Sequence, residues 1–247
     1  MSGFCRRWDE TRLAFMLLSR LPMGRMQTPP PMADSVWAYP VVGAVVGAAS
    51  GLVFWLAAQA GLPPLAAALL ALGASMALTG AMHEDGLADM ADGFGGGRTQ
   101  AAKLEIMRDS RIGSYGVVAL VLALGLRAAC LAALPAPGVV WRLAAIGALS
   151  RALLPVVMLA LPPARADGLG QAAGGGMARA PVLAGLALAA VLFWHFLPVF
   201  AAMAVAVAGV SALAKRQIGG FTGDVLGAGQ ILAETAGLCV LAAHILS

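Results

Sequence analysis

The chain has 247 residues, of which 60% are hydrophobic and only 11% are charged. A soluble domain usually carries about 25% charged residues, and one core of this length could not hide so much apolar surface from water. The composition therefore excludes an ordinary soluble protein, a disordered chain and, despite a net charge of +4, a nucleic-acid-binding domain.

The N-terminal segment, residues 8–21, mixes arginines with Trp8, Phe15 and Leu18. This mixture is typical of an amphipathic helix that lies in the membrane interface. A disordered basic tail is the alternative for this segment.

Seven stretches are apolar and close to the roughly 20 residues that a membrane-spanning helix needs. They are residues 37–58, 64–82, 116–134, 139–161, 181–197, 198–214 and 225–246. We therefore predict one all-α, membrane-embedded catalytic domain, residues 1–247, with about seven transmembrane helices. Almost no loop separates the fifth stretch from the sixth, so one broken or re-entrant helix is the alternative there. Gly43, Gly47 and Gly51 repeat every four residues and predict a helix-packing face.

The basic residues orient these spans. Arginine and lysine occur before the first span and after the second, fourth and sixth, whereas the connections at residues 59–63 and 135–138 carry no charge. Because cytoplasmic loops are enriched in Lys and Arg, the pattern predicts a cytoplasmic N-terminus and an external C-terminus.

Acidic residues concentrate after the second span. Six of the twelve acids lie between Glu84 and Asp109. If this segment is helical, Asp85, Asp89 and Asp92 share one face, where like charges repel and do not stabilise the helix. Carboxylates at a membrane boundary suit Mg²⁺ or Mn²⁺, which prefer oxygen ligands. A solvated helix end is the alternative, but residues 83–97 hold four acids and no base.

A glycine-rich stretch follows the acids and includes Gly95, Gly96 and Arg98. Backbone amides and a guanidinium can bind phosphate, so these residues predict a diphosphate site beside the metal. Residues 83–115 together form the predicted cytoplasmic catalytic loop.

Asp109 lies between Arg108 and Arg111 in the same predicted loop. One interpretation is an interfacial helix with salt bridges. The other assigns Asp109 to the metal or the reacting hydroxyl, and both arginines to an anionic substrate.

The last cytoplasmic loop contains Thr222, a predicted substrate-binding residue, and Asp224, which either caps the last span or binds metal. Glu234, Arg127 and Arg151 lie inside predicted spans. Acids at such depth are costly unless they are paired or functional, and the sequence leaves both explanations open.

Three motifs, HEDGLADMADG (83–93), LEIMRDSRIGSYG (104–116) and GGFTGDVLGA (219–228), resemble signatures of the cobalamin synthase family, the adenosylcobinamide-GDP ribazoletransferases. Ser150-Arg151 and PARADGLG (163–170) resemble it too. The resemblance runs in order from about Phe15 to Glu234, nearly the whole chain.

This resemblance implies a bacterial inner-membrane enzyme with its active site on the cytoplasmic face. It implies that adenosylcobinamide-GDP reacts with α-ribazole or its 5′-phosphate, giving adenosylcobalamin or its phosphate and GMP, with Mg²⁺ as cofactor. Combined with the residue pattern, it suggests that Asp85, Asp89, Asp92 and Asp224 hold Mg²⁺ while the ribazole 3′-hydroxyl attacks phosphorus. Glycine-rich spans leave room for a homo-oligomer.

Two other functions remain as alternatives. A CDP-alcohol phosphotransferase also has acidic helix ends, but its motif spacing is not reproduced after Asp85. A cation or metabolite transporter would explain Glu234, Arg127 and Arg151, yet the acids crowd one membrane face and no inverted repeat is visible.

Overall fold

The computed structural model describes residues 3–165 and 177–246, and the regular elements of these two stretches are helices. In chain order they are α1 (Gly3–Leu18), α2 (Met32–Ser35), α3 (Tyr39–Gln59), α4 (Pro64–Thr79), α5 (Met82–Gly96), α6 (Gln100–Ile106), α7 (Ser114–Ala132), α8 (Val139–Ala160), α9 (Arg179–Leu192), α10 (Leu197–Ile218) and α11 (Gly223–Leu246). Short 3₁₀ turns, Val36–Ala38 and Trp194–Phe196, lead into α3 and α10. The all-α prediction is therefore confirmed.

The described residues contain fewer long apolar helices than the roughly seven spans predicted. Five segments of the described residues are long and apolar enough to cross a membrane: Met32–Gln59, Ser114–Ala132, Val139–Ala160, Trp194–Ile218 and Gly223–Ile245. Helices α4 and α5 form a pair bent by 91°, which makes six spans if the pair counts as one. The fold is thus that of a multi-span membrane protein with five or six long apolar helices, and the number of membrane crossings, predicted as about seven, stays a prediction.

Two backbone breaks explain this difference. The predicted span 64–82 ends at Thr79 because Gly80 and Ala81 adopt positive φ angles of 68° and 55°. The predicted span 181–197 is interrupted at Phe193, which leaves helical geometry, so that α9 has only 14 residues. A 14-residue helix is about 21 Å long, short of the roughly 30 Å hydrocarbon core.

Helices α3 and α8 pack with their backbones in contact. A Cβ atom added to Gly43, Gly47 or Gly51 would lie 1.9, 2.0 or 2.6 Å from backbone atoms of α8. Gly43 faces Gly147 while Gly51 faces Val140, so the two helices run antiparallel. The predicted glycine packing face is confirmed, and its partner is α8.

Helix α11 packs against α5, α7, α8 and α10. At its N-terminal end, α11 comes so close to α5 that a Cβ on Gly86 would lie 2.9 Å from the Asp224 carbonyl oxygen. A Cβ on Gly227 would lie 3.2 Å from the His83 backbone. The glycines of the two motifs therefore allow the acid-bearing ends of α5 and α11 to meet.

Helix α1 begins earlier than the predicted segment 8–21 and ends at Leu18. Its residues Leu13, Ala14, Phe15 and Leu18 are buried, whereas Trp8 is exposed. Its location in the membrane interface stays a prediction.

Candidate active site

Four acidic residues define what we call the acid centre: Asp85, Asp89 and Asp92 on α5, and Asp224 in the first turn of α11. Asp89 lies within electrostatic reach of the other three carboxylates and of the Arg165 guanidinium. The structure thus brings together the four side chains that the sequence predicted as metal ligands, although they come from segments more than 130 residues apart.

The three aspartates of α5 were predicted to lie on one helix face, but they differ in exposure. Asp85 is exposed and Asp89 is half-buried, so both carboxylates remain open. Asp92, one turn further, is buried. Its Oδ2 accepts a hydrogen bond from the Gly113 backbone N–H at 2.7 Å, and its Oδ1 accepts one from Gly116 at 2.9 Å.

Asp92 therefore fastens the start of α7, where free backbone N–H groups need acceptors. A Cβ atom on Gly113 or Gly116 would lie 2.4 Å from an Asp92 oxygen, which explains the glycines at both positions. Sequence reasoning missed this contact, and the role of Asp92 as a metal ligand stays a prediction.

Thr222 orients Asp224. The Thr222 hydroxyl donates to Asp224 Oδ2 at 3.1 Å and accepts from the Val225 backbone N–H at 3.3 Å. The side chain of Thr222 is buried. In this arrangement Thr222 acts on the acid centre through Asp224.

Arg165 is a site residue that sequence reasoning missed, since it was used only to orient its loop. Its Nη1 lies 3.7 Å from Asp224 Oδ2, and its Nη2 donates to the Leu104 carbonyl at 3.0 Å. A bridge between Pro163 and Phe221 brings this loop to the start of α11. The motif at 163–170 offered a signal, but residues 166–170 lie outside the described residues.

The Asp109 carboxylate is bonded to a neighbouring arginine and not to a residue of the acid centre. It forms a salt bridge with Arg111 in which Nη2 and Oδ2 are 2.6 Å apart. Hydrogen bonds from the Arg111 side chain and backbone hold the pKa of Asp109 below its usual value. This salt bridge lies between α6 and α7, outside any helix, and the role of Asp109 at the metal or the reacting hydroxyl stays a prediction.

The predicted phosphate loop is helical. Helix α5 continues through Gly96, and a Cβ on Gly95 would collide with the Tyr115 ring at 2.6 Å. Arg98 and Arg108 are exposed. These glycines lie in the last turn of α5, against neighbouring side chains, and the diphosphate site predicted at Gly95, Gly96 and Arg98 stays a prediction.

The donor chemistry of the acid centre fits a divalent cation. Within residues 3–165 and 177–246, no group of three His, Cys, Asp or Glu side chains is already arranged to hold a metal ion. However, the carboxylates of Asp85, Asp89 and Asp224 lie within electrostatic reach of one another, with Arg165 as a nearby positive charge. Hard oxygen donors with room for water are what Mg²⁺ requires, and two of these carboxylates are open.

Beneath the acid centre lies a buried set of charges that we call the ionic network: Glu84, Arg127, Arg151 and Glu234. Arg127 bonds Glu84 at 3.3 Å and also pairs with Glu234, which Arg151 contacts at 3.0 Å. The network joins α5, α7, α8 and α11. The two arginines thus pair with Glu234, one of the two explanations that the sequence left open, and Glu84 is an unexpected fourth member.

Fold and site together define a class: a multi-span helical membrane protein whose acidic residues converge at one end of the helix bundle. A family model described as cobalamin-5-phosphate synthase matches residues 10–242. The chain belongs to this family, and so to the transferases of cobalamin biosynthesis. This membership favours the enzyme over the transporter and the CDP-alcohol phosphotransferase.

Its curated relatives are similar along nearly their whole length. A protein of Bradyrhizobium diazoefficiens named adenosylcobinamide-GDP ribazoletransferase is 45% identical, and the alignment covers 95% of this chain and 93% of the relative. A protein of Mesorhizobium japonicum with the same name is 42% identical over 94% of this chain and 92% of its own. No solved structure matches the chain.

Proposed function

We propose that the chain transfers adenosylcobinamide phosphate from adenosylcobinamide-GDP to α-ribazole or α-ribazole 5′-phosphate, forming adenosylcobalamin or its 5′-phosphate and GMP. The family and the names of the relatives support this reaction. The observation that ties it to a place is the convergence of Asp85, Asp89 and Asp224, whose carboxylates are the donors preferred by the cation that a diphosphate substrate needs.

In the diphosphate of the substrate, one oxygen bridges the two phosphorus atoms. The reaction breaks the bond between this bridging oxygen and the phosphorus on the cobinamide side. The 3′-hydroxyl oxygen of the ribazole forms the new P–O bond, its proton passes to a carboxylate of the acid centre, and GMP leaves with the bridging oxygen. Mg²⁺ bound by Asp85, Asp89 and Asp224, with Asp92 as a fourth predicted ligand, would neutralise charge on the diphosphate and leaving group.

The residues of the chain orient these groups. Thr222 holds the Asp224 carboxylate, and Asp92 holds the start of α7. Arg98, Arg108 and Arg111 are exposed, which leaves them accessible to an anionic substrate. Asp109 is already paired with Arg111, so it would reach the metal or the reacting hydroxyl only after that pair opens.

We further propose that the acid centre faces the cytoplasm of a bacterial cell, at its inner membrane. Arg165 at the acid centre and Lys215 near the end of α10 support this side, because cytoplasmic ends carry the basic residues. The N-terminus would then be cytoplasmic and the C-terminus external. A homo-oligomer is compatible with this arrangement.

The decisive experiment measures GMP release by purified protein in lipid nanodiscs with Mg²⁺, adenosylcobinamide-GDP and α-ribazole. Asp85→Asn and Asp89→Asn should each lower the turnover at least about a hundredfold, since metal stabilisation of the transition state is worth several kcal/mol. Glu105→Gln, which removes an exposed acid of the neighbouring helix α6, is the matched control and should stay near wild type. Near-normal turnover in both aspartate variants would refute the metal assignment, and no GMP release by wild-type protein would refute the function.

A further inference from the structure

An apolar cavity of about 110 Å³, partly open to the outside, lies beside the acid centre. Its wall combines residues of α1, α2, α3, α5, α8 and α11. Apolar side chains dominate this wall, among them Leu17, Leu18, Leu154, Leu226 and three methionines, Met32, Met82 and Met158. Tyr39 and His83 contribute the polar groups.

The cavity and the acid centre are formed by neighbouring residues of the same two helices, α5 and α11. Met82 and His83 line the cavity and directly precede Glu84 and Asp85 on α5. Gly223 lines it on α11 and directly precedes Asp224. A Cβ on Gly223 would meet nothing within 4 Å, so space remains at this junction. A ligand in the cavity would therefore lie next to the carboxylates.

The chemistry of the wall selects among the parts of the two substrates. A diphosphate is charged, guanine needs several hydrogen-bond partners, and the corrin of cobinamide carries polar amide groups around its rim. The base of α-ribazole is instead a flat benzimidazole with two methyl groups and one free ring nitrogen. Methionine sulfurs pack well against aromatic rings, and small-molecule sites are usually lined by apolar side chains with a few polar groups.

His83 adds a second observation that points to a ligand. Its side chain is buried, and its Nε2 has no hydrogen-bond partner among the described residues. Buried polar atoms are normally paired, so an unpaired one in the wall of a cavity calls for an explanation. The Nε2 atom is shielded in this state, so a base with a ring nitrogen supplies its partner after the imidazole turns toward the cavity.

We propose that this cavity binds the aromatic base of the nucleoside acceptor, so that its ribose projects toward Asp85 and Asp224. The assignment rests on the proposed function, because it takes the acceptor from that reaction. It makes the cavity the acceptor site and leaves the exposed arginines for the anionic corrinoid substrate.

The test narrows the cavity. Met158→Trp places a larger side chain in its wall, while Leu159→Trp, one residue further on α8, changes a side chain that is 39% exposed and does not line it. Both variants are purified in nanodiscs, and their thermal unfolding is compared with wild type to establish that they fold. Met158→Trp should raise the KM for α-ribazole at least about tenfold and leave the KM for adenosylcobinamide-GDP within about twofold. Leu159→Trp should change neither.

Equilibrium binding separates this inference from the proposed function. α-Ribazole alone is titrated into wild-type protein without corrinoid or Mg²⁺, followed by the benzimidazole fluorescence. A riboside carrying only imidazole, which lacks the fused ring and both methyl groups, should bind at least about thirtyfold more weakly, because it buries less apolar surface. This comparison needs no variant and does not depend on turnover.

The outcomes are distinguishable. If wild-type protein releases no GMP yet prefers α-ribazole over the imidazole riboside and loses that preference in Met158→Trp, the cavity assignment holds and the proposed reaction fails. If GMP is released but Met158→Trp affects both KM values equally or neither, or both ribosides bind alike, the cavity is not the base site. Occupation by a lipid acyl chain would give that second result.

Discussion

The ionic network allows a quantitative test of how charges are tolerated inside this helix bundle. Glu84, Arg127, Arg151 and Glu234 are all buried and carry two negative and two positive charges. Arg151→Met leaves a net charge of −1 in the network, and Glu234→Gln leaves +1. The double variant keeps the Glu84–Arg127 pair and restores a net charge of zero.

Removing one partner of a buried ion pair costs about 3 to 5 kcal/mol, because the other charge is left without compensation. Each single variant should therefore lower the free energy of unfolding by about that amount. The double variant should lose far less than the sum of the two, so that the coupling energy reaches at least about 2 kcal/mol, within the range seen for residues in contact. The expected fall in Tm for each single variant is about 6 to 20 °C, taking 2 to 4 °C per kcal/mol for a chain of this size.

The assay is equilibrium unfolding of purified protein in mixed micelles with increasing denaturing detergent, followed by tryptophan fluorescence, because thermal unfolding of membrane proteins is often irreversible. Arg216→Met, which removes an exposed arginine near the end of α10, is the matched control and should change stability by less than about 0.5 kcal/mol. If the two single losses add to give the double within about 0.5 kcal/mol, the charge-balance argument is refuted.

Three further predictions follow from individual contacts. Asp92→Asn replaces one acceptor oxygen by an amide that meets a backbone N–H, so the free energy of unfolding should fall by about 1 to 2 kcal/mol; unchanged stability would show that these bonds are not important. Arg165→Gln should raise the KM for adenosylcobinamide-GDP at least about tenfold in the GMP-release assay without changing the KM for α-ribazole, since its guanidinium lies at the acid centre; equal changes in both would contradict this. Gly47→Ala should lower Tm because its Cβ would lie 2.0 Å from a backbone oxygen of α8. Gly73→Ala, whose Cβ would meet no atom within 4 Å, should maintain or raise Tm through better helix propensity. A fall of Tm in both variants would contradict the packing argument.

The grouping of the acid centre could be predicted because it depends on local rules. A helical period places Asp85 and Asp89 one turn apart, and alternate loops of a multi-span protein meet on one side of the membrane. The structure brings the acid-bearing parts of α5 and α11 together, as these rules predict. The sequence could therefore group these carboxylates without any knowledge of how the helices pack, while their role in catalysis stays a prediction.

The predicted ends of α4 and α9, and several site contacts, differ from the structure because hydropathy carries no information about them. A window average passes through Gly80 and Phe193 because both are compatible with an apolar stretch, yet backbone angles at these positions end α4 and α9. Likewise, the bonds from Gly113 and Gly116 to Asp92, and the approach of Arg165 to Asp224, join segments that meet only in three dimensions. Single-sequence reasoning has no term for such contacts.

Helix α5 holds like-charged carboxylates at a fixed distance from each other. Glu84 is held by Arg127 inside the bundle, Gly86 lies against the backbone of α11, and Asp92 is bonded to the start of α7. These three positions fix the buried face of the helix, while Asp85 and Asp89 lie on its open side. Because neighbouring carboxylates repel, they would move apart on a flexible loop, and binding a cation would first have to bring them together. A helix fastened at three points avoids that cost, which explains why the residues around the acid centre are bonded inward and its two open carboxylates are not.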